Sequence, residues 1–297
     1  MLKKHRRLCL LIVLGPVALA AQSTQVSFAP GDVFVSLETG PVQWRLSDGT
    51  LRSLLVPAVP GWGEGMAFDS SGNLYVARWR ADSMGLSGNT VEKFNVLGQS
   101  LGAVGRGYDC DPHAIVFDWS GPATGTAYVG QAGCRRSVLK FVPGSIDPIE
   151  LPVAEENQGA FWIDLAPDRC TLFYTSYGAS VKRYDACSGV QLSDFNAAPL
   201  PGGLAQDLRV LADGGVLVSS SSVIVRLSAA GLVTRTYEVP GEGAFWAGLD
   251  LVGDGTFWAA NYFSSNVYRF DLESGAVLAR FNTDTPPNTA VGVRVKR

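Results

Sequence analysis

Short apolar segments that run into a polar Asp/Gly turn recur along the chain roughly every forty to fifty residues: 65–72, 113–121, 163–168, 208–214 and 249–255. After each turn comes a second short run rich in branched or aromatic residues, such as Leu74-Tyr75-Val76-Ala77 or Phe257-Trp258-Ala259-Ala260. A third run then alternates around a basic residue beside an apolar one, as in Val91-Glu92-Lys93-Phe94 and Val267-Tyr268-Arg269-Phe270. A Gly-containing turn and a fourth run close most units. Period-two alternation bounded by turn residues predicts strands, and no stretch holds a helical period over twelve residues. Each unit therefore reads as a four-stranded antiparallel meander.

Radial repetition of such meanders makes a β-propeller, and the number of units sets its size. Five units are complete. Ahead of them, 32–37, 41–47 and 51–56 supply strands two, three and four of a unit without a first strand. Behind them, Ala290-Val291-Gly292-Val293-Arg294-Val295 has the pattern of the first strand Ala205-Gln206-Asp207-Leu208-Arg209-Val210 and no sequel. Pairing the two termini completes another blade and leaves no open edge between the first blade and the last. The expected fold is all-β: one six-bladed propeller over 21–297, with blades near 290–297 plus 31–58, 64–106, 112–154, 159–198, 203–240 and 243–284. Seven blades or another all-β repeat are the alternatives.

Residues 1–20 break the pattern. Lys3, Lys4, Arg6 and Arg7 precede an apolar run ending Ala18-Leu19-Ala20, the layout of a signal peptide cleaved near Ala20 or Ala21. A membrane anchor is the alternative, although the run is short for a bilayer. Cleavage implies an exported protein, secreted or periplasmic, with no membrane span and monomeric. Losing that segment removes four basic residues and no acid from totals of 24 and 27, which takes the net charge from −3 to −7. An acidic chain without a basic stripe does not suit nucleic acid. One histidine is left, His113, with Cys110, Cys134, Cys170 and Cys187. An even cysteine count in an exported chain points to two disulfides, and four cysteines permit three pairings. Cys110 and Cys134 lie equidistant from Pro122, and Cys170 and Cys187 from the Gly178-Ala179 turn, so hairpin geometry favours Cys110–Cys134 and Cys170–Cys187, each worth about 3 kcal/mol.

Gly63-Glu64-Gly65-Met66-Ala67-Phe68-Asp69, followed by Gly72-Asn73-Leu74-Tyr75-Val76-Ala77, resembles NHL-repeat proteins and the senescence marker protein/gluconolactonase family of six-bladed propellers, as does Ala166-Pro167-Asp168 through Thr175. The resemblance implies a divalent metal, calcium or similar, at the channel mouth, held by a Glu, two Asn and an Asp, which polarises an ester carbonyl and activates water. Aligning inner strands on their turns puts Glu64, His113, Phe161, Gln206, Ala247 and Val291 at that ring. Glu64 matches the family's Gly-Glu-Gly; Phe161 stands where an Asn is expected and Gln206 where the Asp is expected. Glu64, His113 and Gln206 are thus the candidate metal ligands of a set short of charge. The streptogramin B lyases, a second resemblance, rely on several channel histidines with a Glu, and here only His113 is present.

No Gly-x-Ser-x-Gly elbow, phosphate loop or Cys/His zinc spacing occurs in the chain. The expected binding face comprises loops ahead of inner strands and between strands two and three, with Trp62, Glu64, Arg78, Arg80, Asp111, His113, Phe161, Gln206 and Glu242 as its candidates. Repeated Gly-Ala-Phe-Trp at 159–162 and 243–246 favours packing for Trp162 and Trp246. The leading expectation is a non-catalytic propeller that binds a small molecule, glycan or protein without a cofactor. A metal-assisted lactonase centred on Glu64 and His113 is the enzymatic alternative, and a structural cell-surface module the third. Peptide mapping without reduction should recover Cys110–Cys134 and Cys170–Cys187; a link between blades would overturn the register.

Overall fold

A computed structural model describes residues 26–79, 89–108, 111–119, 125–133 and 136–297. The leader, Arg80, Cys110 and Cys134 lie outside these residues. The described strands form six four-stranded antiparallel sheets. Innermost in blades one to six are β24 (Ala290–Val295), β4 (Trp62–Phe68), β8 (Pro112–Asp118), β12 (Ile163–Leu165), β16 (Ala205–Val210) and β20 (Trp246–Leu251). Second strands are β1 (Val33–Leu37), β5 (Leu74–Trp79), β9 (Thr126–Gln131), β13 (Thr171–Thr175), β17 (Val216–Ser220) and β21 (Thr256–Asn261). Each inner strand touches the next around a closed ring.

Closure is made by the termini: β24 pairs antiparallel with β1, with Val33 opposite Val295 and Val35 opposite Val293. Second strands are buried almost throughout, because both faces pack on neighbouring blades, whereas outermost strands such as β3 (Leu51–Leu55) and β23 (Val277–Asn282) are largely exposed. This gradient explains why inner repeats read as apolar runs and outer ones as mixed sequence. Cys170 and Cys187 are bonded, with Cα atoms 5.1 Å apart at the foot of blade four.

Five of the six inner strands, all but β12, share a departure from regular pairing. The ladder to strand two slips between Gly63 and Met66, between Pro112 and Ala114, between Ala205 and Leu208 and between Trp246 and Leu249, and β1 slips against β24 between Val35 and Leu37. A bulge leaves backbone groups without ladder partners, and here side chains supply them. Ser36 Oγ accepts from Gly292 N at 2.8 Å within blade one and donates to Glu64 O at 2.7 Å in blade two. Thr175 repeats this between Trp162 N and Gln206 O, and Ser219 between Asp207 N and Ala247 O. Small residues let the bulges approach: a Cβ on Gly248 would sit 2.2 Å from Val291 O.

Below the bulges, carboxylates carry the connection onward. Asp164 accepts from Val210 N, Asp207 from Leu249 N and Asp250 from Val295 N, each a step to the next blade at 2.8–2.9 Å. Arg209 lies among them, donating to Asp207 at 2.5 Å and to Asp250 at 2.7 Å. Burial alone would favour a neutral guanidine, but Asp207, Asp250 and Asp164 push the pKa of Arg209 upward. Burial likewise opposes ionisation of Asp250, and Arg294 with Arg209 overcomes it, holding the carboxyl at about 2.

Asp250→Ala should therefore strand Arg209 and Arg294 and cost about 3–5 kcal/mol, read from the urea midpoint. Asp147→Ala, at the exposed Arg106 pair, should leave that midpoint in place. Because the folded pKa of Asp250 lies below its unfolded value, its contribution is present above about pH 4. It should fade as pH falls through about 2, narrowing the gap between wild type and Asp250→Ala. A gap independent of pH would show that Asp250 does not act through its charge.

Candidate functional site

The bulges also decide what faces the channel. Glu64, His113, Gln206, Ala247 and Val291 stand at or beside the irregular positions of five inner strands, Phe161 stands just ahead of the sixth, β12, and all six line one cavity of about 740 Å³. Trp162 closes its floor. The indole reaches from blade four across the axis to blade one, where its Cη2 would lie 3.2 Å from a Cβ on Gly292, and it packs in one cluster with Val291. Gly292 is required there: a Cβ would also meet Ser36 Oγ and Glu64 O at under 3 Å. The channel mouth is thus a cup with an indole floor.

Glu64 and His113 come from neighbouring blades, and their Oε2 and Nε2 atoms lie 3.4 Å apart. Burial depresses the imidazole to about 3, so His113 is neutral at physiological pH. Burial pushes Glu64 well above the ordinary carboxylate range; Glu38 adds to this, Arg78 opposes it and Asp111 adds again. The contact is therefore no ion pair, since both partners favour their neutral forms. His113 stacks on Phe161 with ring centroids 3.8 Å apart and meets Trp162 edge-on at 5.6 Å. Glu64 Oε2 and Gln206 Nε2 are buried without a hydrogen bond, although their residues are only 1% and 2% exposed.

Two further carboxyls line the cup. Glu38 follows β1 and is raised by burial, against the hydrogen bond of 2.9 Å that it accepts from the Tyr262 hydroxyl. Asp111 precedes β8 and is also raised by burial, against the pull of the Trp79 indole. Trp79, Tyr177, Phe245 and Tyr262 form an aromatic wall, and Arg136 at the rim pairs with Glu155.

Other candidates stand elsewhere. Arg78 is fully buried rather than on the binding face: it holds Glu92 at 2.6 Å and donates to Gly40 O, tying blade two to blade one. Trp62 packs edge-on against Trp79 at 4.8 Å, outside the cup. Glu242 accepts from the Tyr268 hydroxyl and from Asn266, also outside it. Trp246 is core, packed on Tyr268 and Phe270. Glu38, Tyr177 and Tyr262 escaped the sequence reading, although each lies one or two residues beyond the end of a second strand, a register that aligning β1, β13 and β21 exposes.

The carboxyls and imidazole of the cup do not gather around one point as ligands of a divalent ion would. Among the described residues, no three His, Cys, Asp or Glu ligand atoms of the cup lie close enough to share an ion. The grouping that does, Cys170 with Asp185 and Cys187, has both sulfurs in the disulfide. Phe161 adds a hydrocarbon where the gluconolactonase pattern has an amide, so no metal-routed step follows from this site.

No family model and no curated protein matches the chain in sequence. Solved structures do. A chain of a nidogen/laminin complex superposes with a TM-score of 0.70 at 14% identity, over 88% of this chain and 97% of the other. A Bacteroides caccae protein of unknown function gives 0.67 at 14%, over 89% and 98%. Virginiamycin B lyase from Staphylococcus aureus gives 0.57 at 12%, over 77% and 73%. At such identities the likeness carries the β-propeller architecture and nothing of the chemistry.

Proposed function

We propose that this is an exported, non-catalytic propeller that binds a small molecule in the channel-mouth cup. One observation carries the reading: Glu64 Oε2 and Gln206 Nε2 are buried without hydrogen bonds in the lining of an aromatic-walled cavity. An unsatisfied buried polar group costs about 1–3 kcal/mol, and a ligand that completes it recovers that cost on binding. The cavity falls within the size range of small-molecule sites, and its indole floor suits an enclosed ligand better than an extended glycan or a protein surface. Export rests on the basic and apolar leader.

The hydrolase alternative has a specific observation in its favour, the adjacent Glu64 and His113. Yet a base that titrates at about 3 is a poor proton acceptor at neutral pH. A small-molecule library screened by equilibrium dialysis should yield ligands that quench tryptophan fluorescence and that Gln206→Leu weakens at least fivefold. Lactone turnover that a chelator abolishes, and that Glu64→Gln removes, would overturn the reading in favour of the hydrolase.

The same site should lower stability. The folded pKa of Glu64 lies above its unfolded value, so the native state holds this proton more tightly and stability declines as pH rises past about 4.5. Glu64→Gln has no charge to bury. Its unfolding free energy should exceed that of wild type by roughly 1–3 kcal/mol at pH 8, with the difference closing toward pH 4. Equal stabilities at pH 8 would mean that Glu64 already has a partner for its charge.

A further inference from the structure

We infer that the cup is built for an organic cation, an ammonium group carried on an apolar or aromatic body; this rests on the small-molecule reading and names its ligand class. The inference begins from charge. Glu38, Glu64 and Asp111 line one cavity, near enough that Glu38 and Asp111 both act on Glu64. Every basic group described around them is committed or neutral: Arg78 to Glu92 and Gly40 O, Arg136 to Glu155, and His113 uncharged. Among the described residues Arg78 alone acts on Glu64 as a cation, and its engagement by Glu92 leaves burial free to raise Glu64 well above the ordinary carboxylate range, so an anionic ligand would add to the repulsion rather than relieve it.

Acids gathered at a mouth are common, but here buried side-chain atoms without partners, Trp79 Nε1 among them, point to a ligand independently. Glu64 Oε2 accepts no hydrogen bond and Gln206 Nε2 donates none, and both residues line the cup. A positively charged nitrogen answers Glu64 Oε2 by its charge, and by a donated hydrogen bond as well where it carries N–H, and an acceptor elsewhere on the same ligand answers Gln206 Nε2. The walls agree with the charge. Trp79, Phe161, Tyr177, Phe245 and Tyr262 present ring faces and edges around the acids, and a cation gains most from such rings when water is kept out. A bare metal ion would need several close oxygen donors, which this spacing does not provide.

Binding a cation also reverses the balance at the acids, since a positive charge beside Glu64 favours its ionised form. The groups facing it are Glu38, Asp111, His113, Tyr262 and the paired Arg78; His113 is neutral well above about 3, so Glu38 and Asp111, both raised by burial, are the groups that lose protons alongside Glu64. Affinity for a permanently charged probe should therefore rise with pH as the acids lose their protons.

Isothermal titration with benzyltrimethylammonium, 2-phenylethylamine, 2-phenylethanol and 3-phenylpropanoate tests this on the intact protein. Both cations are expected to bind at least tenfold more tightly than the alcohol, with no detectable binding of the carboxylate. Affinity for benzyltrimethylammonium should rise at least threefold from pH 5 to pH 8. Glu64→Gln and Glu38→Gln should each erase most of the cation preference with the far-ultraviolet circular dichroism of wild type retained, which separates loss of charge from loss of fold; a preference unchanged in both variants would overturn the proposal. Equal binding of alcohol and cations, or preference for the carboxylate, would overturn the cationic ligand and leave the cup a small-molecule site. Failure of all four probes at millimolar concentration would overturn it too, while the library screen independently decides whether the cup binds anything.

Discussion

The bulge in the inner strands is the constraint on which the rest depends. A regular strand at the axis would satisfy its own ladder and present blade to blade only side-chain contacts. By slipping at Glu64, His113, Gln206, Ala247 and Val291, the inner strands free backbone groups that the next element must satisfy. Ser36, Thr175 and Ser219 meet that demand across three blade junctions, and Asp164, Asp207 and Asp250 do so lower down. Blades that need one another's side chains cannot unfold one at a time without exposing unpaired groups, so a ring of repeats gains the cooperativity of one domain.

The same slip makes the site. A bulge re-aims the residue it contains, and bulges in five blades, with the chain entering β12 in the sixth, turn one side chain from each blade toward the axis. Which residue is turned inward is then free to vary without disturbing the latch, because the hydroxyls bond backbone atoms. That freedom is visible here: a carboxylic acid, an imidazole, a phenyl ring, an amide and two aliphatic groups occupy equivalent positions. Trp162 and Gly292 show its limit. The indole fits across the axis only because the residue opposite has no side chain, so these two positions are coupled although they lie 130 residues apart in the chain.

Periodicity revealed what depends on periodicity. Turn residues and apolar runs repeat in every blade, so the blade count, the pairing of the terminal strand with β1, and the Cys170–Cys187 staple were legible from spacing alone. The six positions that line the cup emerged from the same alignment. What escaped depended on unique partners. Arg78 reads as a loop cation beside Trp79, and only the structure reveals that β6 (Thr90–Phe94) carries Glu92 back to it and that Gly40 O waits in the neighbouring blade. Glu38 and Tyr262 bond each other across the closure, 224 residues apart, and although their register after the second strands recurs in blade four, nothing in the sequence pairs one with the other.

The site's electrostatics follow from burial more than from pairing, and this separates it from the network below. Asp250 and Glu64 are both carboxylates in the innermost layer. Two arginines overcome the desolvation of Asp250, which stays charged and binds its neighbours, whereas Arg78 is already engaged by Glu92 and cannot do as much for Glu64. The lower network thus keeps Asp250 charged and adds to stability, while the upper cluster leaves Glu64 without enough compensation and subtracts from it. Nothing in the fold requires that deficit, since an apolar residue at position 64 would preserve the latch from Ser36 to the backbone carbonyl. An acid held in an unfavourable place that the scaffold does not need is best explained by something that arrives from outside, and the sign of that deficit is what makes the missing partner a cation.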